Sequence, residues 1–348
     1  MGTNLIKFAL TMKRIRLANL PTKIYRLERL SQELDANIYI KRDDQTGSEL
    51  TGNKVRKLEF EVADAIEKGC DMLITCGGIQ SNHCRATVAA ATQMCMKSAV
   101  LLRISDEPPV RGNYFLDRLM GADVRFCNKD EYRRYRQEIM EEMAEKYRKQ
   151  GHKPYIVPEG ASNAIGTLGY YNCMQEILEQ EKQMGITFNT IVVATGSGGT
   201  IAGLHLANEL GKLGKRCIGM AVCDDIEYFT EIADRISNEA KSILKPFLDT
   251  EDFSNAVLDR SHIEINDKYV GIGYALSRPE ELEFIKKIAR QEGLILDPVY
   301  TGKAMYGLYN ELQKDADPKT AINHNDNVLF IHTGGLFGLF PISEDFPL

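Results

Sequence analysis

Three cations fall within four residues in Lys54-Val55-Arg56-Lys57. A lysine here is the candidate reactive group, because its amine condenses with a carbonyl to form a Schiff base. Val55, Leu58, Val62, Ala65 and Ile66 recur at the three-to-four spacing of one buried face, and Gly69 supplies a stop, so the cluster opens a helix. Lys54 then lies in its first turn. Cations are disfavoured there, since the helix N-terminus carries partial positive charge and its free amides seek anions. Either these side chains reach out to water, as on an ordinary solvated face, or an anion occupies the site.

Two loops could supply anion sites. Thr195-Gly196-Ser197-Gly198-Gly199-Thr200 stands between a strand-like run and a helical one, where backbone amides converge and Ser197 and Thr200 add hydroxyl donors. A dinucleotide fingerprint fails by one glycine, because Ile201 stands where the last is needed, and a P-loop fails for want of its lysine. A serine-hydrolase elbow centred on Ser197 fits the strand-turn-helix context and stays an alternative, although Thr195 stands where its first glycine is required. A structural glycine turn is the plain alternative, and a monophosphate cradle is favoured. The second loop, Cys76-Gly77-Gly78-Ile79-Gln80-Ser81-Asn82-His83, suits a carboxylate. Ser81 or Asn82 would equally serve as a helix N-cap with no ligand present. A histidine in a first turn is more often on the surface than catalytic, and Cys76 and Cys84 read as packed thiols. No His, Cys and carboxylate set has metal-ligand spacing.

Repeated β-α-β units position these loops. Strands are expected at 37–41, 72–75, 99–104, 122–126, 155–157, 190–194, 217–222, 294–296 and 328–331. Helices are expected at 25–34, from Ser81, from Arg111, at 129–153 (exposed), from Ile201, within 225–260 and at 280–291. The pattern is that of parallel sheets covered by helices, with a crossover near Gly166 where a second set of units begins. A lysine, a phosphate cradle and a carboxylate site on one α/β scaffold together suggest pyridoxal phosphate chemistry on an amino acid.

Composition is consistent with small-molecule chemistry. The 348 residues carry a net charge of -6, which gives no general field for nucleic acid or an anionic membrane. Eight cysteines lack any C-x-x-C pair and read as reduced thiols of a cytoplasmic protein. The apolar run at 8–12 is too short for a signal-peptide core, and Ile6 spoils a myristoylation start. No stretch approaches a membrane span.

Six motifs in order carry a resemblance over nearly the whole chain: Y-I-K-R-D-D from Tyr39, G-N-K-V-R-K-L-E from Gly52, G-G-I-Q-S-N-H from Gly77, T-G-S-G-G-T from Thr195, D-P-V-Y-T-G-K from Asp297 and H-T-G-G from His332. They resemble the D-cysteine desulfhydrase and 1-aminocyclopropane-1-carboxylate deaminase group of fold type II pyridoxal phosphate enzymes. The resemblance implies two domains, each an open, mostly parallel sheet covered by helices: residues 1–52 and 165–348 binding the cofactor, 53–164 the substrate. It implies that Lys54 bonds the cofactor, that Thr195, Gly196, Ser197, Gly198, Gly199 and Thr200 hold its phosphate with Lys57 as counter-charge, and that Asn82 bonds its phenolic oxygen. Ser81, Asn82 and His83 would bind the substrate carboxylate, Tyr274 and Tyr300 would line the site, and Lys54 or Ser81 would take the α-proton. Thr301 and Thr333 stand where deaminases of the group carry Glu and Leu, which favours the desulfhydrase branch. A threonine hydroxyl can only hydrogen-bond the pyridine nitrogen, and this weaker electron sink suits β-elimination of D-cysteine, or of a related substrate such as cysteate, better than ring opening. A homodimer is also implied. Arg56 is left a surface or salt-bridge role.

Overall fold

The computed structural model describes residues 13–106, 108–247 and 255–346. The apolar run at 8–12 and part of the helical expectation at 225–260 lie outside them. The chain opens with β1 (Ile24–Arg26), α1 (Glu28–Leu34), β2 (Asn37–Lys41) and α2 (Lys54–Glu67). It continues through β3 (Met72–Gly78), α3 (Asn82–Gln93), β4 (Lys97–Arg103), α4 (Gly112–Leu119), β5 (Asp123–Cys127), α5 (Lys129–Lys149) and β6 (Pro154–Ile156). The remainder comprises α6 (Ala164–Met184), β7 (Thr190–Thr195), α7 (Gly199–Gly211), β8 (Arg216–Ala221), α8 (Ile226–Leu244), β9 (Glu264–Asn266), α9 (Pro279–Glu292), α10 (Thr301–Glu311) and β10 (Asn327–Ile331).

The strands form two sheets. One has the order β5-β4-β3-β6 and is wholly parallel; the other runs β1-β2-β10-β7-β8-β9, with only β1 antiparallel to its neighbour. Central strands such as Leu73–Cys76, Val100–Leu102 and Ile191–Val193 are buried throughout, as expected of parallel strands with helices on both faces. In parallel sheets ligands gather at the carboxyl ends of strands. The loops after β3 and β7 and the segment after β10 all leave such ends.

Several sequence expectations are corrected. Tyr25 is not helical but pairs with Ile40 in β1, and α1 starts only at Glu28, because extended Leu27 turns the chain between them. Residues 294–296 alternate buried, exposed, buried, yet no neighbouring strand accepts them and they stay irregular. β9, α10 and the helix character from Ala164 onward were not anticipated. The long exposed helix α5 ends at Lys149, short of 153; in the 225–260 stretch α8 ends at Leu244, a single helical turn follows at Lys245–Phe247, and residues 255–259 are irregular before a short turn at Arg260–His262. All eight cysteines are free thiols. Among the described residues no helix is long and apolar enough to cross a membrane.

Candidate active site

One cleft gathers residues from both sheets, including Lys54, Ser81, Asn82, His83, Thr195, Gly196, Ser197, Gly198, Thr200, Tyr274, Tyr300 and Thr333. The start of α2 is seated against the segment after β10: the Asn53 amide donates to the Thr333 carbonyl at 3.1 Å. Gly52 has φ +98, and an added Cβ would lie 2.8 Å from that carbonyl, so this approach requires glycine. Lys54 therefore projects into the cleft from the first position of α2. Burial pulls its amine down to about 8, against the opposing pull of the Glu159 carboxylate. Much of it is a free base at mildly alkaline pH.

Lys57, one turn on, lies behind the cleft wall. Its ammonium nitrogen donates to the Gly160 carbonyl at 3.0 Å and to Ser162 Oγ at 3.1 Å. Burial and then the neighbouring Lys54 hold it well below the ordinary lysine range, with Glu61 opposing. Ser162 is a link the sequence did not suggest, since its hydroxyl also meets Ser197 Oγ at 2.8 Å and the Gly199 amide at 3.2 Å. Ser197 thus contacts another serine, not the histidine that a hydrolase would need. Asn53 Nδ2 donates to Thr200 Oγ1 at 3.1 Å, tying α2 to the start of α7. Thr195 Oγ1 is buried without a partner.

In the second loop Ser81 is the N-cap of α3 and accepts from the Cys84 amide at 3.1 Å, so the plain capping role is real. Ser81 nevertheless lines the cleft. Asn82 Oδ1 accepts from Asn113 Nδ2 at 3.0 Å, which fixes the Asn82 side chain. His83 is not on the surface as a first-turn histidine was expected to be; only 4% is exposed. Its Nε2 lies 2.8 Å from Thr75 Oγ1, whose own hydrogen goes to the Val157 carbonyl. Nε2 must therefore carry the ring proton, leaving Nδ1 an acceptor without a partner. Burial, then Lys54 and Lys57, keep this ring neutral. Burial likewise pushes the Cys76 thiol up to about 12, so that it is a packed group and no nucleophile.

Tyr274 and Tyr300 meet hydroxyl to hydroxyl at 2.7 Å, with their rings edge to face. Burial raises Tyr274 to about 12 and holds Tyr300 well above its ordinary value, so both keep their protons at neutral pH. Thr333 lines the cleft, but Thr301 does not. Thr301 is fully buried and its hydroxyl is held by Asp297, whose carboxylate also accepts the amides of Val299 and Tyr300 and so caps the start of α10. The expectation that Thr301 faces the cofactor ring finds no support in this arrangement. Arg56 is no surface residue either: it is buried and paired with Asp43 and Glu176. Sequence reasoning also missed Asn53, Glu159 and Gly160 on the cleft wall. The Pro-Glu-Gly turn after β6 was the available signal, because it too follows the carboxyl end of a parallel strand.

Comparison with known proteins agrees with the geometry. Residues 15–334 match the family model described as pyridoxal-phosphate dependent enzyme. The chain is 43% identical over 339 residues to a bifunctional D-cysteine desulfhydrase/1-aminocyclopropane-1-carboxylate deaminase, mitochondrial, of Arabidopsis thaliana, covering 93% of this chain and 78% of that one. It is 36% identical to a D-cysteine desulfhydrase of Serratia proteamaculans, covering 94% and 95%. A crystal structure of an ACC deaminase homologue superposes with a TM-score of 0.86 at 36% identity, covering 99% and 98%. An O-ureido-L-serine synthase, at 16% identity and TM-score 0.64 with 99% and 96% covered, shares the fold.

Proposed function

Because the chain belongs to the pyridoxal-phosphate-dependent enzymes, in the group of D-cysteine desulfhydrases and 1-aminocyclopropane-1-carboxylate deaminases, we propose that this lyase performs β-elimination on D-cysteine, releasing pyruvate, ammonia and hydrogen sulfide. The observation that supports the reading best is the convergence on one cleft of a lysine amine lowered to about 8 and two loops that open helices. Such a set can hold a phosphate at one end and an amino-acid carboxylate at the other.

The cleft fits the cofactor. Glycine keeps the cradle open: a Cβ on Gly196 would come 2.9 Å from the Tyr300 ring, and one on Gly199 2.6 Å from Lys57 Nζ. Lys54 would hold the cofactor covalently, residues 196–200 its phosphate, Asn82 its phenolic oxygen and Thr333 its ring nitrogen. Bound, it draws electrons from the substrate's α-carbon. The amide start of α3, with Ser81, Asn82 and His83, would orient the substrate carboxylate. Lys54 would take the α-proton as its free amine, or Ser81 would do so while passing its own hydroxyl proton to the Lys54 amine. Tyr274 and Tyr300 are kept protonated, and because one hydroxyl donates to the other, the remaining O–H of the pair is the one free to donate toward the departing group. Thr333 would offer the ring nitrogen a hydroxyl, which makes a weaker electron sink than a carboxylate partner, and this favours elimination over ring opening.

A screen of D- and L-amino acids with β-leaving groups, reading pyruvate beside sulfide or sulfite, tests the proposal. Sulfide and pyruvate in equal amounts from D-cysteine are expected. Production of 2-oxobutyrate from 1-aminocyclopropane-1-carboxylate alone would overturn it. A homodimer belongs to the same proposal, and light scattering should give a mass near twice 39.2 kDa.

A further inference from the structure

Glu159 is a carboxylate on the wall of a cleft whose neighbouring charges are positive. It opens the turn Glu159–Ala161, in which Gly160 and Ala161 both have positive φ, at 66° and 48°. A Cβ on Gly160 would collide with Ser197 Oγ, so the turn and hence the origin of the Glu159 side chain are fixed against the phosphate loop. Arg136 Nε lies 3.8 Å from the carboxylate, and its guanidinium covers the Tyr132 ring at 5.6 Å. A second guanidinium, Arg103, is stacked 5.1 Å from the Tyr132 ring and 5.1 Å from the Tyr274 ring. Its Nη2 would be 3.8 Å from a Cβ on Gly78, a cleft residue, and among the described residues no carboxylate pairs with it. The charge of Glu159 acts on Lys54, Tyr274 and Tyr300 alike. One carboxylate on the cleft wall is therefore paired with Arg136, while Arg103 is stacked on the Tyr274 ring of the same cleft.

We propose that Glu159 is a specificity-determining residue for the leaving group, admitting amino acids with an uncharged β-substituent and disfavouring those with an anionic one such as a sulfonate. The inference rests on the β-elimination reading and names the substrate class within it. A sulfonate would have to displace the carboxylate from Arg136 or lie beside it, and like charges juxtaposed at a binding site are unfavourable. Such a repulsive element excludes a competitor without improving the preferred substrate. Without the carboxylate, Arg103 and Arg136 would form a receptor for the excluded group.

The test compares holoenzyme with its E159Q and E159D variants. Elimination of D-cysteine, D-β-chloroalanine and D-cysteate is followed by pyruvate release, and calorimetry gives the affinity of two unreactive probes, 3-sulfopropanoate and butanoate. The wild type should prefer the uncharged substituents over sulfonate by at least about tenfold in kcat/KM. E159Q should abolish or reverse that preference and tighten 3-sulfopropanoate about tenfold, with butanoate unchanged; E159D should keep the wild-type preference. If E159Q changes all substrates and both probes by the same factor, the inference is overturned. If no variant releases pyruvate from any substrate, the β-elimination reading fails, and the two binding probes still decide the role of Glu159.

Discussion

The first turns of α2 carry the same charge on two sides and treat it in opposite ways. On one side Arg56 donates to both oxygens of Asp43 at 2.8 Å and to Glu176 at 2.9 and 3.1 Å, and Lys41 meets Glu176 at 2.6 Å. Although burial pushes Asp43 up, Arg56 holds it down to about 2. Tyr170 completes the set with a 2.6 Å bond to Asp43. On the other side Lys54 and Lys57 are also desolvated but have no carboxylate within ion-pair distance among the described residues, and both amines are pulled down. Charge satisfied within the protein fastens α2 to its neighbours; charge left unsatisfied is available for a ligand. Sequence alone could not separate these cases, because neighbouring helix positions point in different directions and the partners of Arg56 lie at residues 43 and 176.

The largest expected effect is on the unsatisfied side. Lys54→Ala should lower pyruvate release by at least about a thousandfold, while urea unfolding shows stability unchanged or slightly raised. Equal losses of activity and stability would erase the contrast. On the satisfied side, Arg56→Met leaves Asp43 buried without its partner and should cost about 3–5 kcal/mol in the same unfolding measurement. A loss below about 1 kcal/mol would mean that the network does not fasten the helix.

Asp117 sharpens the comparison from the other sign of charge. It is fully buried on α4, both carboxylate oxygens lack partners, and burial lifts it to about 7 with Arg85 only partly opposing. Between pH 3.8, the ordinary value, and about 7 the folded state keeps a proton that the unfolded state has released. Stability therefore falls as pH rises through that window. Asp117→Asn should stabilise by about 1–3 kcal/mol at pH 8 and lose that advantage towards pH 4, measured by urea titration at both values. The smallest effect concerns Lys54 itself. In cofactor-free protein its reactivity with an amine-directed reagent should titrate near 8, and E159Q should move the midpoint downward, because the opposing carboxylate charge is gone.

The parallel β-α-β organisation and the chemistry-bearing loops were legible because glycine-rich loops between buried strands and helices carry local signals. Lys54, both loops and the tyrosine pair line one cleft; the loops were legible from their places after strands, Lys54 from its helix start and the tyrosines only from the resemblance. What escaped was set by distant partners. Tyr25 is a strand residue only because Ile40 pairs with it, and the alternation at 294–296 is real but has no neighbour to make it a strand. Thr301 looked like a site residue by its motif, yet Asp297, four positions earlier, claims its hydroxyl. Glu159 and Ser162 sit in a turn whose importance arises from the loop that packs against it, 35 residues further on at Ser197.

The central claim is that Lys54 is the lysine that carries the cofactor. Borohydride reduction of the holoenzyme, followed by proteolysis and peptide mass measurement, tests it most directly. The pyridoxyl mass should appear on the peptide that contains Lys54 and at that residue. Its appearance on Lys57, on another lysine, or on none would contradict the account.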